Sequence, residues 1–205
     1  MEYDKRGKRY VAAEKFMLRF LDPDPYVYLS QLRSVAEGAV SSRESWIANL
    51  PSADVALTPK RGVDIEVLRK VLDAVREGAS IDVFYQSMNA VRPEPIWRRM
   101  TPHAFGHDGF RWHVRAYCHK RKEFLDFVIA RILEIGFSEG AGPGPLEDKA
   151  WQTKVDLVLA PHPGLSLPKR RAIELDYGMT GGTAKLSCRQ ALLFYLLKHL
   201  RLDLD

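Results

Sequence analysis

Between Ile81 and Leu133 apolar and polar side chains alternate in three runs, IDVFYQSM, RWHVRAYC and FLDFVIARIL. A period of two marks a strand with one face on a core. In the first run Ile81, Val83, Tyr85 and Ser87 share a face, with Asp82, Phe84, Gln86 and Met88 opposite. In the second, Trp112, Val114, Ala116 and Cys118 form the core side. Arg111, His113, Arg115 and Tyr117 form a polar surface or a pocket wall. The third run places Arg131 on one row with Leu125, Phe127, Ile129 and Leu133. A guanidinium buried alone is prohibitively costly. Arg131 must therefore pair with a carboxylate such as Asp126 or a C-terminal acid, reach solvent, or face an anionic ligand. The segment TPHAFGHDGF, with Asp108-Gly109 as a hairpin loop, reads as a turn-rich connection carrying His103. Trp97 and Trp112 read as core. Three such runs predict a small β-barrel that keeps polar side chains for a ligand.

The flanks change period. Residues 24–38 predict a helix with Asp24 as N-cap, Pro25 at its first position, Gly38 past its end and a stripe of Tyr28, Leu29, Leu32 and Val35. Residues 40–61 read as a loop-like connector. Asp64 to Arg76 predicts a second helix, capped by Asp64, stopped by Gly78, with Ile65, Leu68, Val71, Leu72 and Val75 on its apolar face. In front of both, EYDKRGKRYVA predicts a short hairpin turning at Asp4-Lys5-Arg6-Gly7. Its Lys5, Arg6, Lys8 and Arg9 are the densest basic cluster of the chain. They read as either a solvated turn or a wing that touches phosphates.

After Leu133, glycine and proline concentrate at 136–145 and predict a flexible boundary. Beyond it a strand at 153–161, a helix from Leu167 to Tyr177 capped by Ser166, a short strand in GGTAKLSC and a helix from Arg189 to Arg201 predict a small α+β unit. Its last helix carries Leu192, Leu193, Tyr195, Leu196, Leu197 and Leu200 over several faces. That surplus of apolar surface predicts a subunit contact.

Composition narrows the chemistry only modestly. The 205 residues carry a net charge of +5, which permits a polyanionic partner without requiring one. No apolar run reaches membrane-spanning length and the N-terminus lacks a signal-peptide core, so a cytoplasmic chain is expected. Cys118 and Cys188 read as small buried hydrophobes, and His103, His107, His113 and His119 have no partners at zinc-like spacing. Neither a metal site nor a cofactor is expected. An enzyme is not expected either, because the sequence has no activated nucleophile, carboxylate pair, Walker loop or GxGxxG. Tyr85, Ser87, His103, Arg115 and Arg131 together offer donors, two cations and an aromatic face, a set suited to a phosphate or nucleotide.

The run GFRWHVRAYCH, preceded by YQSM and RMTPHAF and followed by F-x-D-F-V-x-A-R-I, closely resembles the WYL domain of bacterial transcriptional regulators. The nearest likeness is to the subgroup found with anti-phage defence systems of the BREX and CBASS types. The name-giving tripeptide stands here as Trp112-His113-Val114, keeping only its tryptophan. The likeness extends over most of the chain. VDLVLAPHP through R-x-A-L-L-F-Y-L-L-K-H-L resembles the C-terminal extension, called WCX, that helps such proteins dimerise.

The resemblance implies an α+β chain with a wing-like hairpin remnant (1–20) and a helical linker (21–78). An Sm- or SH3-like WYL β-barrel that senses a ligand (79–137), a linker (138–150) and a WCX-like dimerisation domain (151–205) would follow. The implied ligand is a nucleotide or nucleic acid, its pocket Tyr85, Ser87, His103, Arg115 and Arg131. The implied assembly is a homodimer. Family members carry a winged helix-turn-helix in front of the barrel. This sequence opens on a hairpin that resembles only its wing, so a truncated, internally started or split regulator is expected, with its own DNA contact in question. The alternative is a stand-alone single-stranded nucleic-acid-binding Sm-like module that uses Lys5, Arg6, Lys8 and Arg9 on the phosphate backbone.

Overall fold

The computed structural model describes residues 2–14, 16–17, 24–56, 59, 61–88, 90 and 93–202, without the side chains of Arg9 and Ser138. The chain divides into two compact units, residues 1–60 and 61–205.

In the first unit, β1 (Glu2–Asp4) and β2 (Arg9–Val11) form the expected antiparallel hairpin, with Tyr3 opposite Tyr10. Asp4 accepts a hydrogen bond from the Arg6 amide across the turn. Helix α1 (Pro25–Ala36) begins where Asp24 accepts from the Tyr26 amide at 2.8 Å, and Gly38 follows its end in the left-handed region. Short polar caps of this kind satisfy amides that the first turn leaves unpaired. No residue of α1 is buried. Residues 40–56 contain turns but neither helix nor strand.

The second unit opens with α2 (Ile65–Glu77). Asp64 caps it by accepting from the Glu66 and Val67 amides, and Gly78 ends it at φ +64°. Its buried face is Val67, Val71 and Ala74, with Leu68 and Val75 alongside. Ile65, expected on that face, is 71% exposed. Ile65 precedes Val67 by two residues, about 200° around the helix, and so stands away from the buried side.

The sheet comprises β3 (Ala79–Tyr85), β4 (Ile96–His107), β5 (Trp112–Cys118), β6 (Glu123–Val128) and β7 (Ile132–Ala141). All neighbours are antiparallel, in the order β6-β5-β4-β3-β7. The last strand returns beside the first after a 3₁₀ turn at Ile129–Arg131, as the Sm/SH3-like barrel expected from the sequence requires of its end strands. Entrance and exit are paired, Ala79 opposite Ala141. The core joins Val71 and Ala74 of α2 to Ile81, Val83, Tyr85, Met100, Val114, Ala116, Cys118, Phe127, Ile129 and Ile132. A fully buried side chain of this size contributes about 1.5–3 kcal/mol.

Four expectations about this region are corrected. His103 lies within a twelve-residue strand, not in a turn. Pro102 and Gly106 punctuate the sequence, yet Pro102 sits at a β-bulge where the ladder shifts register and its missing N–H is tolerated. Arg131 does not share a row with Phe127, because the 3₁₀ turn breaks the alternation after Val128. Trp97 and Trp112 are both about half exposed, outside the core. The Trp97 ring lies across Gly136, where a Cβ would come within 3.1 Å of it, and tilts against Phe84. Finally, β7 runs through the glycine-rich segment to Ala141, past the start of the expected boundary. Gly142 then crosses so close to the sheet that a Cβ would lie 2.1 Å from Thr101 Oγ1.

The remainder is a 3₁₀ turn (Pro145–Glu147), α3 (Lys149–Gln152), β8 (Lys154–Leu159), α4 (Leu167–Asp176), β9 (Ala184–Arg189), a second 3₁₀ turn (Gln190–Leu192) and α5 (Leu193–His199). β8 and β9 pair antiparallel from Lys154–Arg189 to Leu159–Ala184. The expected strand–helix–strand–helix order is present. Among the described residues 149–202 not one is buried. Cys118 is a core residue as expected, whereas Cys188 is only partly covered.

Candidate functional site

Strand β5 organises the polar chemistry. Val114, Ala116 and Cys118 enter the core, so His113 and Arg115 project from the other face. That face was expected to be surface or pocket wall, yet His113 is 2% and Arg115 8% exposed. Charged groups tolerate such burial only when paired.

Arg115 is paired twice. Its Nε and Nη2 donate to Asp148 Oδ2 and Oδ1 at 2.7 and 3.1 Å, a two-pronged fit. Its Nη1 reaches Asp126 Oδ1 at 3.3 Å from the next strand, where the two residues are directly opposite. Asp148 is held further. Its Oδ2 lies 3.0 Å from His103 Nε2, and its Oδ1 accepts from the Trp151 amide at 3.1 Å, capping α3. Burial pushes the Asp148 carboxyl up, but Arg115, the Trp151 amide and His103 outweigh it and leave the group below the ordinary carboxylate range. Burial pulls the Arg115 guanidinium down, and Asp148 and Asp126 more than restore it. Burial also dominates at His103, lowering its pKa despite the Asp148 hydrogen bond, so the ring is neutral near pH 7. Its Nδ1 is buried without a hydrogen-bond partner among the described residues. Phe124 and Trp151 stand edge-on around it, and Arg189 of β9 lies over Trp151 at 4.6 Å.

A second cluster adjoins the first. At the β4–β5 turn Asp108 accepts from the Phe110 and Arg111 amides, from Arg111 Nε and from His113 Nε2, the last at 2.8 Å. Burial alone would raise this carboxyl, but those bonds hold it far below its usual range. Tyr195 of α5 lies 4.8 Å from the His113 ring, and its hydroxyl donates to Asp126 Oδ2 at 3.3 Å. Burial and Asp126 push the Tyr195 hydroxyl up to about 12. Gly106 of β4 completes the junction, since a Cβ there would stand 2.9 Å from Leu192. The seam from Asp108 through His113, Tyr195, Asp126 and Arg115 to Asp148 and His103 therefore fastens the sheet to the C-terminal segment.

The five residues read from sequence fall into two groups. His103 and Arg115 meet at Asp148 in this seam. Tyr85 lies in the core on the other side of the sheet, where its hydroxyl accepts from the Val128 amide at 3.1 Å and its ring stands edge-on to Phe127. Arg131 lies next to Tyr85's strand end, with its carbonyl accepting from the Gln86 amide at 3.0 Å, and Ser87 follows directly. Arg131 is half-buried, and no ion pair joins it to a described residue, Asp126 being engaged by Arg115 instead. A C-terminal acid as its partner falls on residues 203–205, outside the described residues. Lys5, Arg6 and Lys8 are exposed on the first unit's hairpin; the Arg9 side chain lies outside the described residues.

Sequence reasoning missed Asp148. It stood in a stretch read as linker, and the one signal available was its position as an acidic cap before Lys149-Ala150-Trp151. Among the described residues no group of three histidine, cysteine or carboxylate side chains could hold a metal. No described helix is long and apolar enough to cross a membrane.

Two family models match the chain: the WYL domain over residues 66–136, and the C-terminal dimerization domain of the BrxR transcriptional regulator over residues 154–205. The DNA-binding transcriptional repressor CapW of Stenotrophomonas maltophilia is 42% identical over 204 residues, which cover 98% of this chain and 67% of the relative. CapW of Pseudomonas aeruginosa is 42% identical over 210 residues, covering 100% of this chain and 68% of the relative. CapW of Escherichia coli is 39% identical over 210 residues, covering 98% and 67%. Among solved structures, proteasome accessory factor B/C of Arthrobacter aurescens aligns with 83% of this chain and 29% of its own, at 15% identity and a TM-score of 0.40.

Proposed function

The chain belongs to the family of WYL-domain transcriptional regulators, and we propose that it works there as a dimeric, non-enzymatic, cytoplasmic sensor controlling phage-defence genes. The barrel takes up an anionic ligand, a nucleotide or a short nucleic acid, and that binding changes the pairing of subunits and with it the grip on DNA. The supporting observation is the seam on the outer face of β5. Arg115, the cation best suited to a phosphate, is bound at once to the barrel through Asp126 and to the C-terminal segment through Asp148. A ligand that engages it must alter the attachment of the segment that leads into the dimerisation domain. Linked equilibria of this kind couple two sites reciprocally. Arg131, with Ser87 and Tyr85 beside it, supplies a second cation at the end of the barrel.

The test is titration of short single-stranded DNA, RNA and cyclic nucleotides against the wild type, Arg131→Ala and Arg115→Lys. Losing a charge-assisted phosphate contact costs about 1.5–3 kcal/mol, so binding weakens by roughly 10- to 150-fold in Arg131→Ala. Binding unchanged in both variants removes these residues from the pocket. The exposed hairpin cations support a second reading, a stand-alone single-stranded nucleic-acid binder. Affinity that falls steeply with salt and depends on Lys5, Arg6, Lys8 and Arg9 selects that reading instead.

A further inference from the structure

The Arg115 fork is already filled. A guanidinium that offers Nε and Nη2 side by side matches a carboxylate and a phosphate equally well. Here both prongs are taken by Asp148, whose carboxylate is almost wholly buried. The two carboxylates on Arg115 are not equivalent. Asp126 belongs to the adjacent barrel strand and approaches through Nη1 alone. Asp148 comes from outside the sheet, at the head of α3 and six residues before β8 begins.

The charge balance of the site leaves no room for a further anion. One guanidinium faces two carboxylates, and the third partner, His103, is neutral. A phosphate brought to Arg115 with Asp148 in place would add a third negative group around one cation inside a buried cluster, which is strongly unfavourable. With Asp148 withdrawn, the fork is open and His103 Nε2 is released beside it as a further hydrogen-bonding group. Withdrawal has a mechanical result too. Asp148 Oδ1 caps the Trp151 amide, Trp151 stacks beneath Arg189 of β9, and Arg189 also donates to the Trp151 carbonyl. The Gln190 amide donates to the Thr153 carbonyl at 2.9 Å. A loosened Asp148 thus loosens α3, and α3 carries the contact to β9.

We propose that Asp148 is a built-in stand-in for the ligand's anionic group, occupying the Arg115 fork in the ligand-free protein and displaced from it by a phosphate-bearing ligand, so that binding in the barrel uncaps α3 and frees the start of the dimerisation domain. The inference rests on the anion-sensing reading above and adds to it the residue that ligand must expel.

The test compares the full chain as wild type, Asp148→Asn and Asp126→Asn. Inorganic pyrophosphate and a four-nucleotide oligothymidylate are titrated by calorimetry. Hydrogen exchange is followed at the amides of residues 150–153. Asp148→Asn keeps the amide-accepting oxygen but removes the competing charge, and it tightens probe binding by roughly 5- to 150-fold, the usual range for coupled sites. Probe added to the wild type speeds exchange at 150–153. Asp126→Asn leaves exchange at 150–153 slow until probe is added. If the wild type binds probe with exchange at 150–153 unchanged, or if Asp148→Asn binds no tighter, the stand-in role is overturned while anion sensing stands. If neither the wild type nor Asp148→Asn binds either probe, anion sensing itself fails and the inference goes with it. Should Asp148→Asn not fold, the wild-type exchange response to probe decides alone.

Discussion

The barrel and the C-terminal segment use similar numbers of apolar side chains to opposite ends. In the barrel and the α2 face packed on it, Val71, Val83, Met100, Val114, Ala116 and Cys118 are wholly shielded from solvent. Between residues 149 and 202 none is buried, and Val158, Leu167, Leu175, Tyr177 and Phe194 are each more than half exposed. A two-stranded ribbon with three short helices cannot close a core of that size by itself. The barrel closes a core of its own, whereas the C-terminal segment keeps its apolar side chains exposed, in keeping with its match to a dimerization domain. Affinity between subunits and stability within one are separate quantities in this protein, and substitutions can be aimed at either.

The largest effect belongs to the barrel. Met100→Ala empties a fully buried site and lowers unfolding stability by about 2–5 kcal/mol. Urea titrations at two protein concentrations should show the same loss. Next comes the close crossing at Gly142, where an added methyl group meets Thr101 and Ser80. Gly142→Ala costs about 1–3 kcal/mol in the same assay, and its shift should be accompanied by faster exchange at Ala79 and Ala141. A smaller effect follows from pH. Burial lowers the pKa of His103, and of His119 likewise, from 6.5. The unfolded chain then binds more protons than the folded one, so stability falls as pH drops through about 6.5 and levels off only below the folded-state values. His103→Gln should flatten that slope. Asp148 acts in a lower window: its depressed carboxyl stabilises the fold above its ordinary pKa of 3.8 and that contribution is lost as pH falls further. The smallest stability change is expected from Phe194→Ser, within about 0.5 kcal/mol for a single subunit in dilute solution. Its dimer should nonetheless dissociate at lower dilution than the wild type's, read by analytical ultracentrifugation. A Phe194→Ser loss as large as that of Met100→Ala would erase the contrast between the two regions.

Local signals were legible and long-range ones were not. Asp24 with Gly38, and Asp64 with Gly78, announce their helices because a cap acts within three residues of itself. The alternation of β5 correctly assigned Val114, Ala116 and Cys118. It could not say whether the face of His113 and Arg115 meets water, since the partners that permit their burial lie 5 to 33 residues away. β4 was hidden because Pro102 and Gly106 are turn residues in most settings, and here one sits at a bulge and the other makes room for Leu192. Arg131 was misplaced by extending a period of two through a 3₁₀ turn. His103 and Arg115 were named from residue type and from the family resemblance; Asp148, which joins them, had only its place as an acidic cap to mark it, and the need that a buried guanidinium creates.

The rung between Ala79 and Ala141 has a consequence for how motion crosses the molecule. The chain enters the barrel and leaves it on facing residues of adjacent strands, so the five strands hang as a side loop from one doorway. A shift of the exit strand need not travel around the sheet to reach α2, whose last residue, Glu77, is separated from Ala79 by Gly78 alone. It crosses a single pair of hydrogen-bonded strands. The doorway is a lever with a short arm: what pulls on the segment from Gly142 to Asp148 pulls at once on the heel of the helix that leads in.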